Sequence, residues 1–551
     1  MLSWFKKYWL EIAVFALLGV GYLLCASPSF TWINTDSDGA HYTYAAKWFY
    51  PAHSSSAPLF LIIAHFFTLI PFGTDFWNIA LISVISSVIA CIFVYAIVKH
   101  YTRSRAYSLI SAVVFGGSAI AISQGTIVET YALVTMCMVG AYYFALKSRW
   151  ALTAIFLGAG MAVHPLATIA SAIIFFSFKP FRNWRYILIS ASFAIFYLYI
   201  PLTNRPPYMW QSQSNSFSNS LNAMKSTILM LSGQISIWAL PKRIIETLLL
   251  VIVTLGAGIF PAFIALKKLN WKAHSLFWLM IIPILYFVTD LSPQTYVYIL
   301  PAMAFGACLV GIGLAKLNKQ WATGIVGLVA VILALFNFNY MDIGRTLDPN
   351  MESVKYYNEL NKVPDGQILV AQQGWEWAMI FVYNKYENRN IIPVCAINLP
   401  DKTYRELIRD TYGVKTDYNN TTGTIAERQI YQTEYVFDNN ENVWFTQTSD
   451  ARNYGAIIVK PTNETRHIIT PWSPLDSEHP AWQWKPNNPY DIITGAIEVT
   501  GWSYVLMSSY SALTFGMLAT IGGMPGWVLY QVIVKKRKWS LNNVKGKVSG
   551  V

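Results

Sequence analysis

The sequence predicts a polytopic α-helical membrane protein with a polar α/β domain towards its C-terminus. Three observations carry that expectation. Of 551 residues, 54% are hydrophobic and only 12% charged, with a mean hydropathy of +0.38; soluble domains run at about 25% charged. Apolar runs recur at lengths suited to a bilayer crossing of roughly 20 residues. From about Tyr340 to Gly495 the composition turns polar. The net charge of +12 does not mark a nucleic-acid surface, because the cations fall in short clusters between apolar runs, as in cytoplasmic loops. Cys25, Cys91, Cys137 and Cys308 lie in apolar runs and Cys395 in the polar region, with no C-x-x-C pair. Neither a disulfide framework nor a cysteine zinc site is indicated.

The elements follow in order. Tyr8 to Ala26, behind Lys6-Lys7, reads as a retained anchor with a cytoplasmic N-terminus, so Asp36 and Asp38 emerge on the opposite face. Ala57 to Pro71 is short for a span and reads as a helix along the outer interface. Phe76 to Val98 crosses inward to Lys99, Arg103 and Arg105; Ala106 to Ser123 returns, and Val128 to Leu146 goes back to Lys147 and Arg149. Two short segments, Ala151 to Val163 and Leu166 to Phe178, meet at His164-Pro165 on the outer side. Tyr186 to Leu202, Ile244 to Leu266, Leu276 to Asp290, Tyr296 to Ala315 and Gly324 to Phe336 complete the body. One cluster breaks the charge rule. Lys242-Arg243 falls on the outer side, through an extra span at Thr227 to Leu240, an external task, or snorkelling of long side chains.

The polar region alternates helix and strand. Ser353 to Leu360, Glu376 to Tyr386 and Lys402 to Asp410 read as helices. Gln367 to Ala371, Ile391 to Ala396, Glu434 to Phe437, Val443 to Gln447 and Ala456 to Lys460 read as strands of a largely parallel sheet. No glycine-rich phosphate loop opens those helices, and Asn-x-Thr sequons at Asn419, Asn420 and Asn463 suit an external location. A final span, Ser503 to Val534, leads to Lys535-Lys-Arg-Lys538 inside. The expected organisation is a membrane body over 1–339 with a first outer loop over 27–75, an extracytoplasmic α/β domain over 340–500, and a last helix with a basic cytoplasmic tail over 501–551. About 12 spans result.

The outer-face residues form a candidate site. Acidic groups are costly beside hydrocarbon, and Asp36, Asp38, His41 and His53 lie just beyond the first span. The alternative is a solvated loop whose aspartates cap a helix. Sugar transfer from a phosphate-linked lipid to a hydroxyl needs a base near the acceptor and cationic or hydrogen-bonding groups around the phosphate. Asp38 or Asp36 can supply the base. Glu129, at the outer start of a span, pairs with or orients another polar group, or sits at a helix N-terminus favoured by the dipole. His164 reaches the same face, and Arg205, Lys242 and Arg243 are candidate phosphate partners. His41 lies three residues after Asp38 on one helix face; the pair admits a divalent cation, although two ligands do not make a site.

At these residues the chain resembles a GT-C membrane glycosyltransferase-like family related to protein O-mannosyltransferases. Asp38, Ala45, Ala46, His53, Pro58 and Leu59 fall in register with its pattern of an Asp in D-S-G-E, two alanines, and H-P-P-G-x-P-L. Val128-Glu129-x-Tyr131-Ala-Leu133 is similar to its V-E-x-Y-A-L segment, and the run from Leu157 to His164 to G-L-x-x-G-x-H. The stretch ending at Asp290, with Tyr296 to Pro301, resembles Y-x-x-x-D followed by Y-x-x-P. The polar region matches in outline from Leu360 through Ile368-Leu369 to Tyr383 and Arg389. His41 stands where the family has Glu, and Ser54-Ser-Ser56 replaces P-P-G. Gln372-Gln-Gly-Trp375 lacks the acid expected after the first strand of the polar domain.

The resemblance implies a GT-C fold and sugar transfer from a polyprenyl-phosphate donor at the extracytoplasmic face. Asp38 is then the base, with Glu129 and His53 beside it. His164 lines the site as well, and the residue reading adds Asp36, His41, Arg205, Lys242, Arg243, Asp290 and Tyr296 as candidate substrate-binding residues. The implied partners are the lipid donor, membrane lipids, an acceptor protein or glycan, and other membrane subunits. Two other readings remain, a transporter or flippase of lipid-linked sugars and a non-catalytic assembly subunit.

Overall fold

A computed structural model describes residues 2–29, 38–52, 57–203, 240–266, 271–289, 297–340, 352–371, 374–417, 419, 422, 425–448 and 456–459. The expected span over Ser503 to Val534 and the basic tail lie outside them, as do Asn420 and Asn463.

Helix α1 (Leu2–Cys25) leads into α2 (Gly39–Trp48) and α3 (Pro58–Phe67), both short. Pro58 sits in the first turn of α3, where its missing N–H is no loss. Helix α4 (Asp75–Thr102) is capped by the Thr74 hydroxyl, which accepts from Trp77 N–H. Next come α5 (Arg105–Gly116) and α6 (Ala119–Gly125), which bend by 63° at their junction. Ser118 caps α6, and the Gly117 carbonyl left open by the break accepts the Asn337 side-chain amide at 2.8 Å. Where the sequence predicts one continuous helix, the structure has a bent pair.

Helices α7 (Tyr131–Leu146), α8 (Trp150–Val163), α9 (Ala167–Ser177), α10 (Trp184–Ser192) and α11 (Tyr199–Thr203) follow. Further on are α12 (Leu240–Leu255), α13 (Ile259–Leu266), α14 (Trp271–Thr289), α15 (Leu300–Leu317) and α16 (Gln320–Tyr340). Among the described residues, five helices are long and apolar enough to cross a membrane, six if the bent pair forms one span. Shorter apolar helices such as α7, α8 and α9 pack among them. This is the build of a membrane protein. Helix α15 is its central element, 94% buried over its apolar window. Its glycines allow that: a Cβ on Gly313 would lie 1.7 Å from the Pro261 carbonyl oxygen.

The two ends of this body differ in charge. At one end Arg105 pairs with Glu11 (Nε–Oε1 2.7 Å) and donates to the Lys7 carbonyl at 2.6 Å, while Tyr95 also donates to Glu11. Tyr101 and Tyr142 meet at 2.9 Å with Ser275 on Tyr142, and Lys316 donates to the Ala265 carbonyl. Those bonds gather the chain segments bearing Lys6, Lys7, Lys99, Arg103, Lys147 and Lys319 at one end. At the other, Ser27 N–H donates to the Thr126 carbonyl at 2.8 Å, and Ser83 Oγ to that of Glu129 at 3.1 Å. Helices α12 and α13 run parallel to α15, with Leu255 facing Gly306, Gly258 facing Val310 and Pro261 facing Gly313. The backbone of Lys242 and Arg243 therefore lies at the end away from Lys316.

In the polar region, α17 (Glu352–Leu360), β1 (Ile368–Ala371), α18 (Gly374–Tyr386), β2 (Ile392–Cys395), α19 (Lys402–Tyr412), α20 (Ile425–Asn439), β3 (Val443–Thr448) and β4 (Ala456–Val459) build a sheet flanked by helices. Strand order is β2-β1-β3-β4; β1 pairs parallel with β2 and β3, and β4 antiparallel with β3. All four residues of β1 are buried, as a central parallel strand requires. The Asp365 carboxylate, bonded by Asn390 N–H and by Arg389, is held below its ordinary range. One expectation is overturned. Glu434 to Phe437 is helical, within α20. Its buried Gln429, Gln432, Thr433 and Val436 recur at helical spacing, which outweighs the local β preference of Tyr435-Val436-Phe437.

This domain docks on α2 through aromatic rings. Tyr44 meets Trp377 and Phe381 at 5.8 and 5.7 Å, and Trp48 meets Phe381 and Tyr386 at 5.3 and 5.7 Å. Tyr386 also bonds Asp75, which Lys47 reaches at 3.1 Å. Each buried large apolar side chain in such a seam contributes roughly 1.5–3 kcal/mol. The α/β domain is thereby fixed to the helix that begins at Asp38.

Candidate active site

Asp38 immediately precedes α2, but its side chain makes no capping bond to the helix. Its backbone carbonyl accepts Tyr42 N–H, while the carboxylate is 30% exposed and lies 3.7 Å (Oδ1) from His41 Nδ1. The capping alternative does not describe this aspartate. His41 itself is buried, so the carboxylate is both accessible and backed by an imidazole.

Glu129 is 3% exposed, in the turn before α7, and its Oε2 accepts Thr130 N–H at 3.0 Å. That bond meets an orphan donor at a helix start. The Tyr42 and Tyr131 hydroxyls both lie within electrostatic reach of Glu129 and of Asp38, which joins the two carboxylates into one neighbourhood.

His164 ends α8. As the residue before Pro165 it is forced extended (φ −156°, ψ 139°), and its N–H still reaches the Gly160 carbonyl at 2.8 Å. Its ring packs on Tyr131 and Tyr298 with centroids 5.4 and 5.6 Å apart, and those two rings lie 5.5 Å from each other. Nδ1 accepts Leu166 N–H at 3.1 Å, so the neutral ring carries its proton on Nε2.

The structure thus brings together Asp38, His41, Glu129 and His164 of the expected residues. Asp36, His53, Arg205, Asp290 and Tyr296 lie outside the described residues. For Lys242 and Arg243 only the backbone is described, at the same end of the body. Sequence reasoning passed over Tyr42, Tyr131 and Tyr298 as site residues. The signal for the last was present: Tyr298-Ile-Leu-Pro301 has the Y-x-x-P spacing. Among the described residues, no three His, Cys, Asp or Glu side chains converge as metal ligands; Asp38 and His41 offer two donors, too few for a divalent cation alone.

Among solved structures, the Archaeoglobus fulgidus oligosaccharyltransferase tethered with an acceptor peptide containing the NVT sequon is similar over 82% of this chain and 70% of its own, at 12% identity and a TM-score of 0.45. ArnT from Cupriavidus metallidurans in the apo state is similar over 71% and 90%, at 11% identity and a TM-score of 0.46. The arabinofuranosyltransferase AftD from Mycobacteria is similar over 66% and 29%, at 13% identity and a TM-score of 0.41. No curated protein matches the chain in sequence. A family model does: residues 38–186, which open at Asp38 and enclose Glu129 and His164, match the Protein O-mannosyl-transferase TMEM260 N-terminal domain. The resemblance to protein O-mannosyltransferases therefore stands on that segment.

Proposed function

We propose that the protein is an integral-membrane GT-C-type glycosyltransferase. It moves a sugar from a polyprenyl-phosphate-linked donor to a hydroxyl of a protein or glycan at the extracytoplasmic face. The observation that carries this reading is Asp38: an accessible carboxylate, not used as a helix cap, grouped with His41, Glu129 and His164 at the end of the body away from Arg105, Lys147 and Lys316. The matched family segment begins at the same residue.

In this reading Asp38 takes the proton of the acceptor hydroxyl as the acceptor oxygen bonds to the anomeric carbon. The bond from that carbon to the phosphate oxygen breaks, and polyprenyl phosphate leaves with the electron pair. Glu129 and His53 shape the pocket, and Lys242, Arg243 or Arg205 neutralise the leaving phosphate. About a dozen spans hold the site, with both termini cytoplasmic and the α/β domain outside. The test is Asp38→Asn in the full chain, reconstituted in liposomes with polyprenyl-phosphate mannose as donor. Loss of transfer by roughly 10²-fold or more, with an unchanged melting temperature, is expected. Wild-type turnover in the folded variant refutes the role.

A further inference from the structure

Three half-buried rings cluster at the site, one of them, Tyr131, two residues after Glu129. Tyr131, His164 and Tyr298 come from the starts of α7 and α15 and the end of α8, and each touches the other two at 5.4–5.6 Å. Each keeps part of its surface open, in a neighbourhood where Tyr42, Thr130 and Ala132 are buried. The Tyr131 hydroxyl lies within electrostatic reach of Asp38 and Glu129.

The chemistry of this patch selects among the parts of a lipid-linked donor. A phosphate beside two carboxylates is repelled. An isoprenoid tail would strip water from the carboxylates and give nothing back. A pyranose suits both halves: its hydroxyls donate to carboxylate oxygens, and its C–H face packs against aromatic rings.

We infer that Tyr131, His164 and Tyr298 form the subsite for the saccharide end of the donor, with Tyr298 as a specificity-determining residue. The inference rests on the transferase reading and adds to it where the sugar lies.

The test is equilibrium binding of the full chain in nanodiscs to two probes, polyprenyl-phosphate mannose and bare polyprenyl phosphate. Tyr298→Leu keeps a side chain of apolar bulk but no ring. It should weaken the sugar-bearing lipid roughly five- to tenfold and leave the bare lipid within about twofold. Tyr298→Phe, which keeps the ring, should bind both as the wild type does. Equal weakening of both lipids by Tyr298→Leu means the residue only holds helices together and overturns the subsite. So does unchanged affinity for the sugar-bearing lipid, or a wild-type protein that binds the two probes alike. None of these outcomes depends on turnover, so the Asp38→Asn assay judges the transferase reading separately.

Discussion

Asp38 and Glu129 show how two carboxylates near one membrane face are given different surroundings. Asp38 keeps nearly a third of its side chain open, whereas Glu129 is buried and bonded to Thr130 N–H. A buried carboxylate at a helix start is held by the helix dipole as well as by that bond. Glu129→Gln preserves an acceptor oxygen for Thr130 and removes the charge. We expect it to fold, shifting stability by about 1 kcal/mol or less, while transfer falls roughly 10- to 100-fold. Thermal melting read beside single-turnover transfer checks both halves; a melting temperature and a rate that fall together would reduce Glu129 to a structural group. At this scale the sequence was informative in an uneven way. Motif spacing found Asp38, Glu129 and His164 because charged or imidazole groups at the ends of apolar runs stand out. Tyr42, Tyr131 and Tyr298 did not, since tyrosine is as common at membrane interfaces as in sites. The packing of the Tyr131 and Tyr298 rings on His164 marks those two, and the electrostatic reach of Tyr42 to both carboxylates marks the third.

At the scale of elements, glycines and prolines decide where helices stop and how near they come. Pro165 turns the chain at His164 and so presents the imidazole; Gly117 does the corresponding work at the α5–α6 break. A Cβ on Gly117 would lie 2.3 Å from the Ala334 Cβ and 2.9 Å from its Cα, so α16 would have to move outward. Moving it also strains the Asn337 bond to the Gly117 carbonyl. Gly117→Ala should therefore cost about 1–3 kcal/mol, as overpacked sites do. Thermal denaturation in detergent reads that loss, and Gly324→Ala, with nothing within 4 Å of the added carbon, is the control. The break itself was hidden in the sequence, where Ala106 to Ser123 has the hydropathy of one span. A local property set it: Gly117-Ser118 supplies a flexible residue and then a capping hydroxyl. The strand expected at Glu434 to Phe437 failed for the opposite reason, because a longer helical period overrode a local β-rich run. The parallel sheet was more legible, since the apolar runs of β1 and β2 are short, uninterrupted and bounded by turn residues.

For the whole molecule, what matters is that most basic segments lie at the end opposite the site, Lys242-Arg243 being the exception. Basic segments collect where α1 begins and α4, α7 and α15 finish, tied together by Arg105 with Glu11, Tyr101 with Tyr142, and Lys316 with the Ala265 carbonyl. Asp38, Glu129, His164 and the docked α/β domain occupy the other end. In the proposed orientation a membrane across this body retains the basic end in the cytoplasm, because translocating lysine and arginine costs more than leaving them. The site and the α/β domain then face outward. Thiol labelling tests this directly and with little background, since Cys25, Cys91, Cys137, Cys308 and Cys395 are all buried. Asn419 is exposed on the α/β domain, and Ser148 is exposed just past α7 at the basic end. In intact cells a membrane-impermeant maleimide should label Asn419→Cys at once and leave Ser148→Cys unmodified until the membrane is opened. The reverse pattern would put Asp38 on the cytosolic side, where an acceptor outside the cell could not reach it, and the proposed direction of transfer would fail. Labelling of both sites in sealed cells would contradict the two-ended body itself, because the basic end after α7 and the α/β domain would then share one side of the membrane.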